Sequence, residues 1–312
     1  MGLHIDSIKF LANILQQNTF NEKEFNKFIK TKGTKGFLAH QESIDSGINI
    51  KSIEEELRKV VLDKNYKDIY EFYLIKKNID QLNRDIEYIK KNEKQIIYQA
   101  LKEIYKIIPR DMTVKFNVYF YSGGIDGGFT VNRKKIFINY GKYIGLREEF
   151  VKILSHEIYH SRNIPLKNRL IFLLKMILKV NPLIYKIIGK AMEEGIASLI
   201  QHGGKLRRDD PTGTLTKRNL MLVKEEFDLL NCILLDIKHN RYDYKKISKL
   251  NIYVIGYYII STIYNIEGVL VLDDWTVNLK YKRIIKKYIE VCDANGISSG
   301  FTDEILEWIM TQ

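Results

Sequence analysis

The sequence predicts an α+β protein that is mostly helical and has a small β-sheet in the middle of the chain. Helical spacing of apolar residues prevails up to about residue 110 and returns after about residue 145. Between them, residues 112–140 contain stretches that alternate apolar and polar side chains and are rich in β-branched and aromatic residues. Helices, a small sheet and then more helices are an order typical of the α+β class.

The N-terminal region, residues 1–110, is predicted to be helical. Its clearest start signal is a capping box of Ser52 and Glu55 in "SIEEELRKVV". A long periodic stretch follows over residues 68–108. We expect an amphipathic helix that lies on the rest of the protein, and a coiled-coil or helical-hairpin surface for a partner is the alternative.

The small sheet precedes a helix that contains the sequence HEIYH. "MTVKFNVYFY", residues 112–121, predicts one strand, and residues 135–140 predict a second, which a short strand could precede. Helical spacing returns in "GLREEFVKILSHEIYHSRN", where Glu148 and Glu149 suit the positive end of the helix dipole. This helix is predicted to end near residue 163.

Helices are predicted for most of the remaining chain. Residues 170–189 are the most apolar region, but Lys175 and Pro182 interrupt it, so it is too broken to span a bilayer and predicts two core helices. Residues 205–219 are the most loop-like segment.

Charge and cysteine content narrow the classes of function. The chain has 50 Lys and Arg against 38 Asp and Glu. Because these cations are spread along the chain without a nucleic-acid-binding motif, a nucleic-acid partner is not expected. The two cysteines, Cys232 and Cys292, exclude a cysteine-ligated zinc site of the CxxC type and suit a reducing compartment. Without a signal-peptide pattern or a transmembrane segment, we expect a cytoplasmic protein, and its oligomeric state is left open.

The HEIYH sequence places two imidazoles and a carboxylate on one helix. His156 and His160 are four residues apart, so both can chelate one metal ion, and Glu157 between them can act as the base for a metal-bound water. The alternative is a buried cluster of hydrogen-bonded His and Glu without metal. A third histidine ligand would require HExxHxxGxxH, and Asn163 and Leu166 occupy those positions instead.

A glutamate from a later helix is the other source of a third ligand. "AMEEGIAS", residues 191–198, lies at a suitable distance in sequence after His160. Its small residues Gly195 and Ala197 predict a close approach to the HEIYH helix, so that a carboxylate could reach the metal.

HEIYH followed by "EEGIAS" resembles the glutamate zincins. More closely, the series "IFINY", HEIYH, "EEGIAS" and "YVIGYY" is similar to bacterial families described as putative zinc-dependent peptidases, over roughly residues 112–265. The resemblance implies a zincin-like metallopeptidase domain over residues 111–312, or one continuous unit with residues 1–110. It also implies one Zn²⁺ per chain with His156, His160 and Glu194 as ligands.

The same resemblance implies roles for neighbouring groups. Glu157 would be the general base, and Glu193 would be available for substrate contacts or for supporting a ligand. An edge strand, either residues 135–140 or "GGFTV", would pair with an extended substrate, and a strand that only packs on the helix is the alternative.

Tyrosines in "NIYVIGYYIIST", residues 251–262, are candidates to stabilise the oxyanion of the tetrahedral intermediate. Tyr253 and Tyr257 share one helix face; we favour Tyr253, with Tyr257 next and simple packing as the alternative. His202, at the end of its helix, is expected to be a surface residue.

The predicted function is a zinc-dependent hydrolase that cleaves peptide bonds in a peptide or protein substrate. Related aminopeptidases carry a Gly-x-Met-x-Asn segment before HExxH, and this chain lacks it. An endopeptidase is therefore favoured. The alternative is a non-catalytic or regulatory binding module on a zincin scaffold, with the N-terminal helices as its working surface.

Overall fold

The chain divides into two compact units in the computed structural model, which describes residues 1–44, 48–124, 126–178 and 182–311. The first unit comprises Met1–Lys102 and Val114–Arg162, and the second comprises Glu103–Thr113 and Asn163–Gln312. The predicted boundary at residue 110, with residues 111–312 as a peptidase domain, stays a prediction. Helices with one small sheet confirm the predicted mostly helical α+β class.

The first unit contains a four-stranded sheet in the order β1-β2-β4-β3. β2 pairs in parallel with β1 and β4, and β3 runs antiparallel to β4. The strand predicted over residues 135–140 is present as β4, and the short strand that could precede it is present as β3. Of the strand predicted over residues 112–121, only the second half is present, as β2. β1 was not predicted. The strands are β1 Leu3–His4, β2 Asn117–Tyr121, β3 Gly128–Val131 and β4 Lys135–Asn139.

Helices surround this sheet. Alternation along β2 places Phe120 on one face, where its ring lies 5.5 Å from that of Phe150, and Tyr121 on the other, where its ring lies 5.2 Å from that of Phe37. The first face therefore packs on α7 and the second on α3. The helices that begin in this unit are α1 Asp6–Leu15, α2 Glu22–Lys30, α3 Lys32–Ile44, α4 Ile50–Leu62, α5 Phe72–Lys77, α6 Ile79–Ile104, the 3-10 helix Tyr140–Tyr143 and α7 Arg147–Tyr159.

Helix α4 begins earlier than its predicted cap. Asn49 is the N-cap, and its side chain accepts a hydrogen bond from the Ser52 N–H at 3.1 Å while Ser52 Oγ accepts from the Asn49 N–H at 3.1 Å. The predicted capping box of Ser52 and Glu55 is therefore wrong by three residues. The reason is that Asn49 is itself a strong cap with extended backbone, so the helix starts at the earlier signal.

The predicted periodic stretch is present as α5 and α6. Asn92 departs from helical backbone geometry inside α6, and its side chain donates to the Tyr88 carbonyl at 2.8 Å. Apolar residues at helical spacing are buried, as an amphipathic helix lying on the protein requires. They are Leu82, Ile86, Ile89, Ile96, Ala100 and Ile104.

The second unit is helical in its described part. α9 and α13 pack closely, since a Cβ added at Gly195 would lie 2.3 Å from the carbonyl oxygen of Gly256. The loop predicted at residues 205–219 ends at Thr216, which caps α10 by accepting from the Asn219 N–H. The helices are α8 Leu166–Leu178, α9 Pro182–His202, α10 Lys217–Met221, α11 Val223–Lys238, α12 Tyr244–Ile247, α13 Ile252–Glu267, the 3-10 helix Leu270–Leu272, α14 Asp273–Thr276, α15 Tyr281–Asn295 and α16 Asp303–Thr311.

The prediction of two core helices in residues 170–189 is right for α9 and wrong for α8. Ile184 and Ile188 of α9 are fully buried, whereas Leu174 and Ile177 of α8 are 52% and 75% exposed. None of the helices in the described ranges has the length and apolar character needed to cross a membrane.

Candidate metal centre

Helix α7 presents the two histidines of HEIYH. It runs from Arg147 to Tyr159, and His160 follows as its C-cap with right-handed helical backbone, so the four-residue spacing is kept. The two imidazole rings have centroids 5.2 Å apart. His156 is only 5% exposed. The predicted helix end near residue 163 is about a turn late, but both histidines lie within one helical turn of each other as the sequence required.

Glu157 is buried and is held by the sheet. Its side chain is 5% exposed, and its Oε2 accepts a hydrogen bond from Thr130 Oγ1 at 2.8 Å. The same hydroxyl lies 3.3 Å from the Glu157 carbonyl oxygen. Because Thr130 belongs to β3, this strand positions the Glu157 carboxylate. It also determines that Oε2 is the carboxylate oxygen that accepts the Thr130 hydrogen bond.

Thr130 is the site residue that sequence reasoning missed. The signal was present in "GGFTV", where alternation puts Thr130 on the face opposite to Phe129. The ring of Phe129 stacks on His40 of α3 at 4.1 Å, so Thr130 is directed towards α7. The alternation of side chains along β3 does not indicate which polar group of α7 Thr130 contacts.

Strand β3 also has an unpaired edge in the described part of the sheet. β4 pairs with β2 on one side and β3 on the other, so the predicted use of residues 135–140 for strand addition is wrong. β3 is at the end of the strand order, and its residues are half-buried or exposed. Of the two segments proposed to pair with an extended substrate, "GGFTV" is the one with backbone groups available for it.

The two glutamates of "EEGIAS" have different surroundings in α9. Glu193 Oε2 accepts a hydrogen bond from Trp275 Nε1 at 2.8 Å. Gly195 lies against the backbone of α13 at Gly256, so its small size serves the packing of α9 on α13. The close packing of α9 on α13 requires a residue without a side chain, and it sets the position of Glu194, the residue just before it.

His156, His160 and Glu194 form the group that could hold a metal ion in the described ranges. One ligand atom from each of them lies within 4.8 Å of the other two. Two imidazole nitrogens and one carboxylate oxygen are a donor set that Zn²⁺ takes in catalytic sites, where a fourth position stays open for water or substrate. The residues present therefore fit zinc.

The two candidate tyrosines have different environments on α13. Tyr257 is buried with Leu206, Leu215 and Val254, and its hydroxyl donates to the Gly203 carbonyl at 2.9 Å. This burial raises the pKa of Tyr257 above that of a free phenol. Tyr253, in the first turn of α13, is half-buried. The roles of both in oxyanion stabilisation stay predictions.

His202 is not a surface residue, contrary to the expectation from its place at a helix end. Its side chain is 5% exposed and its Nε2 lies 3.6 Å from Asp210 Oδ2. Asp210 also accepts hydrogen bonds from Gln201 Nε2 at 2.5 Å and from the Thr212 N–H at 2.7 Å. These contacts anchor the loop after α9. His202 is therefore a packing residue of the second unit.

Fold and site together define the class: an α+β protein with a candidate metal centre of two histidines and a glutamate. The model of a family described as "Putative zinc dependent peptidase (DUF5700)" matches residues 25–296, and the chain belongs to this family. The match is wider than the predicted resemblance over residues 112–265 and includes most of the N-terminal helices. Comparison with curated proteins and with solved structures found no match.

Proposed function

We propose that this protein is a zinc-dependent endopeptidase of the glutamate-zincin type, with His156, His160 and Glu194 as ligands. The observation that supports it most is the closeness of these three donor groups, with Glu157 between the histidines in sequence and held by Thr130. When bound, zinc would lower the pKa of water and polarise the carbonyl of the scissile bond.

Glu157 is proposed as the general base. It takes a proton from the attacking water and passes it to the leaving amine, so that one carboxylate serves both halves of the reaction. Thr130 keeps Oε2 engaged at 2.8 Å and so restricts the rotation of the side chain. A base that is already oriented loses less entropy on reaching the transition state.

The substrate is proposed to be an extended peptide that pairs with the free edge of β3. Main-chain hydrogen bonds would then position a bond in the interior of a chain, which favours an endopeptidase. The absence of the Gly-x-Met-x-Asn segment supports the same choice. Tyr253 is proposed to donate its hydroxyl to the oxyanion. Tyr257, whose hydroxyl donates to the Gly203 carbonyl, is the second candidate.

The test combines metal content with hydrolysis, using the full chain. Zinc is measured by elemental mass spectrometry in the parent, in Glu194→Gln and His156→Ala, and in Glu193→Gln as the matched control on the neighbouring residue. We expect about one zinc per chain in the parent and the control, and little in the two ligand variants. A folded parent that takes up no zinc when zinc is offered would overturn the proposal.

Activity is followed on a library of quenched peptides blocked at both ends, which only an endopeptidase can cleave. Glu157→Gln should retain zinc and lose at least about 100-fold in rate. A zinc-loaded parent whose activity is absent, or unchanged by Glu157→Gln, would point instead to a binding module on this scaffold.

A further inference from the structure

Helix α8 turns an apolar face to the solvent. Its exposed leucines and isoleucines recur at positions i, i+4, i+5, i+7, i+8 and i+11, which lie within an arc of about 160° on a helix of 3.6 residues per turn. Their exposures are Leu166 67%, Leu170 50%, Ile171 42%, Leu173 47%, Leu174 52% and Ile177 75%. An ordinary surface helix buries its apolar stripe, so α8 is oriented the opposite way.

The other side of α8 shows why this orientation is stable. Asn168 Nδ2 donates to the Val277 carbonyl at 2.9 Å, and the ring of Phe172, one turn later, lies edge-on to Trp275 with centroids 5.7 Å apart. These contacts hold the Asn168 amide and the Phe172 ring of α8 against the rest of the second unit. The apolar stripe is therefore held outward by contacts within the unit.

Positive charge accompanies this face. Residues 163–192 contain six Lys and Arg and no Asp or Glu. On the helix, Arg169 and Lys175 lie on opposite sides of the apolar arc, and Lys167 lies within it. Among the described residues, none of the ion pairs within 4.0 Å involves these three cations. Their charge is thus available to an external anion.

We propose that α8 is a membrane-docking helix, which lies on an anionic lipid bilayer with its apolar stripe among the acyl chains and its cations at the headgroups. An apolar arc bordered by Lys and Arg is the pattern of interfacial helices, and anionic lipid attracts each such cation. A second copy of the chain fits less well, because an α8–α8 contact would bring two sets of cations to one seam. This inference goes beyond the proposed peptidase activity and does not depend on it.

Vesicle flotation with the full chain tests this docking. Vesicles of phosphatidylcholine alone are compared with an equimolar mixture of phosphatidylcholine and phosphatidylglycerol, at low and high salt. The parent should float with the anionic vesicles, weakly with the neutral ones, and less as salt rises. Failure to bind the anionic vesicles would overturn the proposal.

Three variants separate the parts of this surface. Leu170→Gln with Leu174→Gln and Ile177→Gln should weaken binding at least about 100-fold. Neutralising Lys167, Arg169 and Lys175 to Gln should weaken it about 100-fold. Met221→Gln with Leu270→Gln, which changes two exposed apolar residues elsewhere in the unit, should bind as the parent does.

Two further results would each overturn the docking proposal. One is equal binding by the apolar variant and the control, with circular dichroism showing both folded. The other is a parent that sediments as a dimer without vesicles and becomes a monomer in the apolar variant, because the stripe would then belong to a second copy.

Discussion

Replacing Gly256 by Ala tests the packing that positions α9. The crossing of α9 and α13 leaves no space for a side chain, since a Cβ at residue 256 would lie 2.0 Å from the carbonyl oxygen of Ala191 and 2.9 Å from the Gly195 nitrogen. Both atoms are backbone atoms, so no side-chain rotation can relieve the contact. The two helices must separate instead.

The cost follows from that displacement. An ordinary carbon–oxygen contact is about 3.3 Å, so the helices have to move apart by roughly 1 Å. Overpacking of a core costs about 1–3 kcal/mol, and a backbone–backbone clash belongs at the upper end. The higher helix propensity of Ala relative to Gly offsets about 1 kcal/mol of this cost. We expect a net loss of about 2 kcal/mol, which lowers the Tm by about 4–8 °C.

Calorimetry and zinc titration measure the two consequences. Gly189→Ala is the matched control in α9, because its added Cβ would meet only the side chains of Trp275 and Phe172, at 3.1 and 3.3 Å. If Glu194 ligates zinc, a shift of α9 of this size exceeds the roughly 0.2 Å tolerance of metal–ligand distances and lowers zinc affinity. A Gly256→Ala protein with the parent's Tm and zinc affinity would refute the reasoning.

Three further predictions concern hydrogen bonds of buried groups. Thr130→Val removes the hydrogen-bond donor to Glu157 and should reduce kcat about 10-fold with zinc content unchanged. Thr130→Ser keeps the hydroxyl and should keep most of the activity. Equal rates for the Val and Ser variants would contradict a positioning role for Thr130. Asp85→Ala should lower the free energy of unfolding by about 3 kcal/mol in a urea titration, because the fully buried carboxylate accepts hydrogen bonds from Gln81, the Gly145 N–H and Arg147. Asp80→Ala, which changes an exposed carboxylate, is the control. Similar losses of stability in both variants would contradict this prediction. Burial raises the pKa of Asp210, but its interactions with His202 and Thr212 outweigh burial and leave the pKa below its ordinary value. Its charge therefore stabilises the fold at neutral pH, and this contribution is lost as the pH falls below about 4 towards the folded-state pKa. The Asp210→Asn variant should lack this acid-dependent loss of stability. Parallel curves of the free energy of unfolding against pH for parent and variant would show that Asp210 makes no such contribution.

Local patterns explain which parts of the fold could be predicted. The spacing of apolar residues placed α6 and the alternation placed β2 and β4, since each pattern arises within a few turns or residues of one element. β1 has only two residues, and Leu3 pairs with Val118 far along the chain, so no local period marks it. The burial of α9 and the exposure of α8 could not be told apart, because both are equally apolar and only their partners differ.

The sequence by itself determined the His156, Glu157 and His160 arrangement, because helix geometry alone brings residues four apart onto one face. It also indicated a glutamate in "EEGIAS" as the third ligand. Only the tertiary structure showed that Trp275 binds Glu193, that Thr130 holds Glu157, and that β3 rather than β4 has the free edge. Each of these depends on a contact between elements that are distant in sequence. Such contacts are decided by how whole surfaces pack together, and the apolar periodicity of a single helix or strand carries no information about its packing partner.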